Sequence, residues 1–101
     1  MRQKPIVVVG SVNLDLVSGV ERIPTSGETI SGDRFQMFHG GKGANQAVAI
    51  ALLGYPVSMV AMVGDDPFGR RLRKGLRSAG VDIQPVTTAK ATPSGIALIF
   101  N

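Results

Sequence analysis

The sequence predicts an α/β fold in which parallel strands alternate with helices and a small separate sheet is inserted after the first strand. Two apolar runs rich in β-branched residues, 6–9 and 57–63, are typical of strands buried in a parallel sheet. Residues 16–38 interrupt this pattern, because they combine short β-like pieces with turn residues and show no helical period. With 101 residues, 44% of them hydrophobic, the chain is long enough for one compact domain or part of one.

The composition excludes several classes of protein. There are no cysteines, which rules out a disulfide framework and a thiolate metal site and leads us to expect the cytoplasm. The excess of positive charge, +4 overall, is concentrated in residues 70–77, where apolar residues at helical spacing would leave most cations on a solvated face. No aromatic residue interleaves with these cations and no segment approaches a membrane span, so neither nucleic acid nor a membrane is an expected partner.

Two polar residues follow the first strand at alternate positions. Residues 6–9 end at Gly10, and the alternation that follows predicts Asn13 and Asp15 on the same side, just beyond the carboxyl end of the strand. Open α/β sheets bind ligands at that end. A carboxylate accepts hydrogen bonds from two neighbouring hydroxyls and an amide both donates and accepts, which suits a polyol. The alternative is that Asp15 only caps backbone N–H groups of a loop.

Residues 16–38 are predicted to form a small sheet. Strands at 16–20 and 29–38 would flank a turn at Pro24 to Gly27, where proline and glycine supply the bend. Such a sheet is expected to act as a flap over a site. Five of its apolar residues need a ligand, the main domain or another subunit to bury them, namely Ile23, Ile30, Phe35, Met37 and Phe38.

A glycine-dense turn at residues 40–43 leads into an alanine-rich helix predicted to begin near Asn45. The spacing is that of neither a P-loop nor a dinucleotide-binding turn. Bare backbone, the helix N-terminus and the cation of Lys42 would suit an oxygen-rich ligand, either a phosphate or the hydroxyls of a polyol. The alternative is a tight turn in which Lys42 is solvated and Asn45 is the N-cap.

The remaining elements follow from their end signals. Gly54 is expected just past the end of the first helix, and Gly80 is expected to end the second. Asp66 and Pro67 form an N-cap and first helical position, so Asp65 and Asp66 are predicted to cap backbone rather than to bind metal.

Two further strands are predicted at residues 81–88 and 95–100, separated by a turn at 91–94. His39 is the one histidine of the sequence, and no residue at ligand or triad spacing accompanies it. We therefore expect His39 to be a packing residue rather than a catalyst.

Together these motifs resemble the ribokinase, or PfkB, family of carbohydrate kinases, and within it the pattern is most similar to ribokinases. The resemblance rests on an ordered set of segments that spans essentially the whole chain: Gly10-Ser11-Val12-Asn13-Leu14-Asp15, Pro24-x-x-Gly27-Glu28-Thr29, Gly40-Gly41-Lys42-Gly43-Ala44-Asn45-Gln46-Ala47, Gly54, Gly64-Asp65-Asp66-x-x-Gly69 and Gly80-Val81-Asp82. It implies that residues 1–101 form the N-terminal part of a Rossmann-like, three-layer α/β/α kinase domain. Residues 16–38 and 95–101 would be its β-sheet lid.

The resemblance also implies roles and partners. The implied sugar-binding residues are Asn13, Asp15, Gly41, Lys42, Gly43, Ala44 and Asn45. A kinase of this kind would use ATP, Mg2+ and a monovalent cation such as K+, and would form a homodimer through the lid. The implied catalytic base, nucleotide site and cation site have no counterpart in these residues, so we expect this stretch alone to be inactive.

The implied reaction is phosphorylation of ribose to ribose 5-phosphate, with another sugar or a nucleoside left open as the substrate. Two other function classes remain. One is a sugar-binding or dimerisation module without catalysis. The other is a phosphate-binding module that uses Lys42 and the helix N-terminus, against which Asp15 argues because a carboxylate repels phosphate at close range.

Overall fold

The computed structural model describes residues 3–101, so the first two residues of the predicted unit lie outside the description. Six strands and two α-helices follow one another along these residues. In chain order they are β1 (Ile6–Val9), β2 (Asn13–Gly19), β3 (Asp33–Gly40), α1 (Lys42–Leu52), β4 (Val57–Gly64), α2 (Pro67–Ser78), β5 (Val86–Ala89) and β6 (Ile96–Phe100).

Three strands form a parallel sheet in the order β1-β4-β5, as the apolar runs predicted. Each step moves to the same side of the previous strand, so right-handed crossovers place α1 and α2 on the same face. The buried side chains agree, since Met59 of β4 packs in one core cluster with Ala47 of α1 and Leu72 of α2. These residues are almost fully buried.

The opposite face of the parallel sheet is apolar and exposed. Val9 of β1 is 76% exposed and Met62 of β4 is 63% exposed, although Val8 and Val63 beside them are buried. Residues 3–101 thus supply the sheet and one helical layer of the predicted three-layer fold. The exposed face is where the other helical layer would pack.

The other three strands form a second sheet in the order β3-β2-β6, with β2 antiparallel to β3 and parallel to β6. Its strands begin and end elsewhere than predicted. β2 starts at Asn13 rather than at residue 16, because Asn13 already pairs with Gly40 and the N–H of Leu14 donates to the carbonyl of Gly95. β3 spans Asp33–Gly40 rather than residues 29–38, so the chain between Gly19 and Asp33 is mostly loop.

The strand predicted at residues 81–88 is wrong in its first half. Asp82 makes only an isolated bridge to Ser58, and a turn follows in which the N–H of Val86 donates to the carbonyl of Ile83. Pro85 lies in that turn and has no N–H to donate to a ladder, so regular pairing begins only at β5.

The helix ends agree with their sequence signals at three of four positions. Gly54 and Gly80 both have positive φ, 83° and 98°, just past the ends of α1 and α2. Asp66 caps α2 by accepting a 2.8 Å hydrogen bond from the N–H of Gly69. The start of α1 was predicted too late: the helix begins at Lys42, because Gly41 takes the N-cap position with φ 102°. Neither helix is long and apolar enough to cross a membrane.

Candidate functional site

Asn13 and Asp15 lie at the start of β2, on one face of the second sheet. Asn13 Nδ2 donates a 2.7 Å hydrogen bond to Asp15 Oδ1. Leu14 lies between them, points to the other face and is fully buried, at 0% exposure. Slipping β2 by one residue would expose Leu14 and bury the two polar side chains, so the core fixes their orientation.

A glycine leaves room for the Asp15 carboxylate. Gly40 pairs with Asn13 in the neighbouring strand, and a Cβ there would lie 2.8 Å from Asp15 Oδ2 and 2.9 Å from Oδ1. The carboxylate therefore lies directly over the Gly40 backbone. Because Gly41 is the N-cap of α1, this position is also close to the positive end of that helix.

The turn into α1 packs tightly against the segment that follows β1. A Cβ on Gly41 would lie 2.6 Å from the carbonyl oxygen of Ser11, and one on Gly43 would lie 2.8 Å from Cα of Gly10. The N–H of Ala44 donates to the same Ser11 carbonyl at 3.0 Å. These contacts hold the helix N-terminus and the start of β2 in a fixed relation.

The first turn of α1 offers two kinds of hydrogen-bond donor. The side chains of Lys42 and Asn45 are exposed, whereas Gly43 and Ala44 are buried and contribute backbone only. Within residues 3–101, no acceptor is bonded to the N–H of Lys42 or Gly43. Asn45 is one turn inside the helix and is not the N-cap, so its side chain is available to a ligand.

The seven residues singled out in the sequence thus lie in two segments whose backbones contact each other, two residues in β2 and five at the start of α1. The structure also adds neighbours that local patterns did not reveal. Phe38 of β3 and Ala97 of β6 are the pairing partners of Asp15 on its two sides. We call this surface, which carries Asn13, Asp15, Phe38 and Ala97, the Asp15 face. One sequence signal could have identified Phe38. It lies two residues before Gly40 in the same strand, and alternate residues of a strand project from the same face.

A second polar cluster ties the two sheets together. The buried Ser94 hydroxyl accepts from the N–H of Gly64 and donates to Asp66, while Asp66 also accepts from the N–H of Ser94. These hydrogen bonds from Ser94, with that from Gly69, hold the pKa of the Asp66 carboxyl below its usual range. Asp65 accepts from the N–H groups of Ala91 and Thr92 in the same way.

The backbone-capping role predicted for Asp65 and Asp66 is therefore confirmed. Both carboxylates are occupied by N–H and O–H donors at the junction between α2 and β6. No group of three or more His, Cys, Asp or Glu side chains in the part of the chain that the structure describes could hold a metal ion.

His39 packs against α2, as expected for a structural residue. Its imidazole ring lies in the space that a Cβ on Gly75 would take. The ring also borders an apolar groove of about 350 Å³ between α1 and α2, which Val48 and Leu52 line. His39 points away from the Asp15 face because it is paired with Leu14.

A larger concave region lies at the far end of the second sheet, away from Asn13 and Asp15. It measures about 510 Å³ and is bordered by the loops after β2 and before β3. Its Arg22 guanidinium is already engaged by both carboxylate oxygens of Glu28. The chemistry of the Asp15 face, rather than concavity alone, marks it as the candidate site.

Almost the whole chain matches a known family of proteins. The model of the pfkB family of carbohydrate kinases matches residues 3–101. The chain belongs to this family. The match includes β2, the glycine turn and both helices, so every residue of the candidate site lies within it.

Deoxyribokinases and a fructokinase are among the similar proteins, and several others are ribokinases. That of Schizosaccharomyces pombe is 47% identical over 101 residues, covering 94% of this chain and 32% of the relative. That of Bacillus subtilis is 46% identical over 94 residues, covering 93% and 32%. The structure of Arabidopsis thaliana ribokinase complexed with ribose and ATP superposes with a TM-score of 0.90 at 41% identity, over 95% of this chain and 31% of that one. The chain spans about a third of the length of the relatives that it matches.

Proposed function

We propose that the Asp15 face and the first turn of α1 bind the hydroxyl groups of a sugar, and that the kinase to which this domain contributes phosphorylates D-ribose. The observation that carries the proposal is the Asp15 carboxylate, held by Asn13 over the backbone of Gly40. The similarity to ribokinases, one of them complexed with ribose and ATP, supports ribose as the sugar.

The geometry suits neighbouring hydroxyls better than a phosphate. The hydrogen bond from Asn13 uses one acceptor position of Asp15 Oδ1, which leaves Oδ2 free to accept from a ligand. The carbonyl oxygen of the Asn13 side chain can accept a further hydrogen bond. Lys42 and Asn45 supply donors from the helix side. A fixed carboxylate in the middle of the site would repel a phosphate, which disfavours a phosphate-binding module.

The proposed reaction transfers the terminal phosphoryl group of ATP to a ribose hydroxyl, with ribose 5-phosphate and ADP as products. Residues 3–101 have no P-loop spacing and no cluster of three candidate metal ligands. We therefore assign to this chain only the binding and orientation of the sugar, with ATP, Mg2+ and K+ held by other parts of the kinase. Residues 1–101 alone should show no ribose-dependent consumption of ATP.

We further propose that the second sheet is a lid that excludes water from the sugar and pairs with the same sheet of a second copy. Its outer strand β6 supports this, because Leu98 and Phe100 are 65% and 53% exposed and lie on the face opposite Asp15. Leu98→Arg should then shift the intact protein from dimer to monomer in light scattering. A wild-type protein that is already monomeric would contradict the pairing.

The proposed location is the cytoplasm, where ATP is available.

Calorimetric titration with D-ribose tests the sugar site. The intact wild-type protein should bind ribose, Asp15→Ala should lose detectable binding, and Asp33→Ala should bind as the wild type does. Asp33 is a matched control because it is a carboxylate of the same sheet, at the far end of β3 from the site. Equal affinity of the wild type and Asp15→Ala would refute the proposed site.

A further inference from the structure

An aromatic ring stands beside the carboxylate of the candidate site. Phe38 of β3 is the direct antiparallel partner of Asp15, so both side chains project from the Asp15 face. Directly opposed residues in such a pair have Cβ atoms about 4.5–5.5 Å apart. A ligand held by Asp15 is therefore within reach of the Phe38 ring.

Phe38 is not a core residue. It is 49% exposed, whereas Met37 before it packs against the core and Gly40 beyond it is buried. Two of its neighbours on this face are small: Gly40 follows it two residues later in β3, and Ala97 lies on the far side of Asp15. One large apolar side chain thus borders the carboxylate on the β3 side, and only a methyl group borders it on the β6 side.

This arrangement matches the surface of a sugar. A sugar ring carries hydroxyls around its edge, which Asp15 and Asn13 can bind, and C–H bonds on its faces, which are weakly positive. The face of an aromatic ring is negative and apolar, so it favours contact with C–H bonds. Binding sites commonly combine such an apolar wall with a few polar groups that fix orientation.

We propose that Phe38 contacts the sugar and sets its size. The ring packs against a C–H face of the substrate and closes the site on the β3 side, so that a five-carbon sugar fits and a sugar with an extra hydroxymethyl group is disfavoured. This inference rests on the proposed sugar kinase activity and deepens it, since it names the residue that selects among sugars.

Phe35 provides the matched control within the same strand. It is also a phenylalanine and is 63% exposed, but it lies three residues away in β3 and so projects from the opposite face. If exposed aromatic residues of this sheet served only its solubility or its packing, substitutions of Phe35 and Phe38 would have similar effects on sugar preference.

The test is steady-state kinetics of the intact kinase at saturating ATP, with D-ribose and D-fructose as alternative substrates. For Phe38→Ala we expect KM for ribose to rise about tenfold with kcat within about twofold, because the lost contact is made equally before and during phosphoryl transfer. KM for fructose should not rise, so the preference for ribose shrinks. The ribose-to-fructose preference of Phe38→Leu should fall between those of the wild type and Phe38→Ala. Phe35→Ala should keep the wild-type preference.

Three results would overturn the inference. One is an unchanged ribose-to-fructose preference in Phe38→Ala, and another is an equal change in Phe35→Ala, which would place the effect in subunit packing. If Phe38→Ala does not fold, the test uses Phe38→Leu instead. A wild-type ribose-to-fructose preference in Phe38→Leu would then overturn the inference. When Asp15→Ala loses ribose binding but Phe38 variants behave as wild type, only this inference fails. A wild-type kinase that acts on no sugar removes both proposals.

Discussion

The parallel sheet with its two helices and the second sheet use apolar residues in opposite ways. In the first region Met59 and Leu72 are 0% and 1% exposed, enclosed between strands and helices. In the second region Leu14 is the one large side chain that is fully buried, while Phe35 and Leu98 are 63% and 65% exposed. The first region thus provides most of the buried core. The second region carries the candidate site and exposes apolar side chains.

The difference follows from the chain connections. Helices α1 and α2 lie between the strands of the parallel sheet and cover one of its faces. The strands of the second sheet come from separate stretches of the chain, and no helix packs across the length of either of its faces. Its position instead depends on the buried Leu14 and on the hydrogen bonds of Ser94.

The largest expected effect is on the stability of the parallel region. Leu72→Ala should lower the free energy of unfolding by about 2–5 kcal/mol, because it leaves a cavity at a fully enclosed site. Urea unfolding of the intact protein measures this. The control Ile23→Ala removes the same number of carbon atoms from the loop of the second sheet, where the side chain is 73% exposed, and should change stability by only about 0.5 kcal/mol. Equal losses for the two variants would break the contrast between the regions.

A smaller effect is expected on the site itself. A Cβ on Gly40 would meet both oxygens of Asp15 at 2.8 and 2.9 Å, so Gly40→Ala should displace the carboxylate and weaken ribose binding about tenfold. Calorimetry measures the affinity. Gly95→Ala is the matched variant on the other side of Asn13, where the nearest atom is Asn13 Cβ at 3.5 Å, an ordinary contact. Its effect should be smaller, and the reverse order would show that Asp15 is not held over Gly40.

The stability that Asp66 contributes at the junction between the two regions should depend on pH. The pKa of Asp66 is lowered, chiefly by the N–H and hydroxyl of Ser94, so its stabilising contribution is present above the unfolded pKa of about 3.9 and is lost as pH falls through the folded value. Asp66→Ala should lower the melting temperature at pH 7, and the gap to wild type should close under acid. A gap that is constant with pH would mean that the charged carboxylate contributes nothing.

The smallest effect is expected in the loop of the second sheet. Arg22 holds the pKa of the Glu28 carboxyl down to about 2, but both groups are exposed and solvent screens them. At pH 7, Glu28→Gln should therefore shift the melting temperature less than Asp66→Ala does, which differential scanning calorimetry can measure. A larger shift would show that this loop is tied to the rest of the fold.

The sequence predicted the elements whose signals are local. The β-branched run at β1 and the end signals of Gly54, Asp66 and Gly80 all specify structure through their own backbone or side chain. The start of α1 was missed because its N-cap is Gly41, which makes no side-chain hydrogen bond and so leaves no capping residue in the sequence.

The candidate site was predictable only in part. Asn13 and Asp15 follow from alternation, and the glycines mark the turn beside them. Their neighbours depend on strand pairing: Ala97 reaches Asp15 across 81 intervening residues, and no local pattern at either position indicates the other. The register that places Phe38 opposite Asp15 is likewise set by the pairing of Asn13 with Gly40.

The parallel pairing of β2 with β6 also has a consequence for synthesis on the ribosome. β2 and β3 are complete once Gly40 has emerged, but β6 begins only at Ile96. At about 5–20 residues per second, roughly 3–11 s pass before the third strand exists. During that interval one edge of β2 has unpaired N–H and C=O groups, so the nascent chain is open there to other strands or to a chaperone.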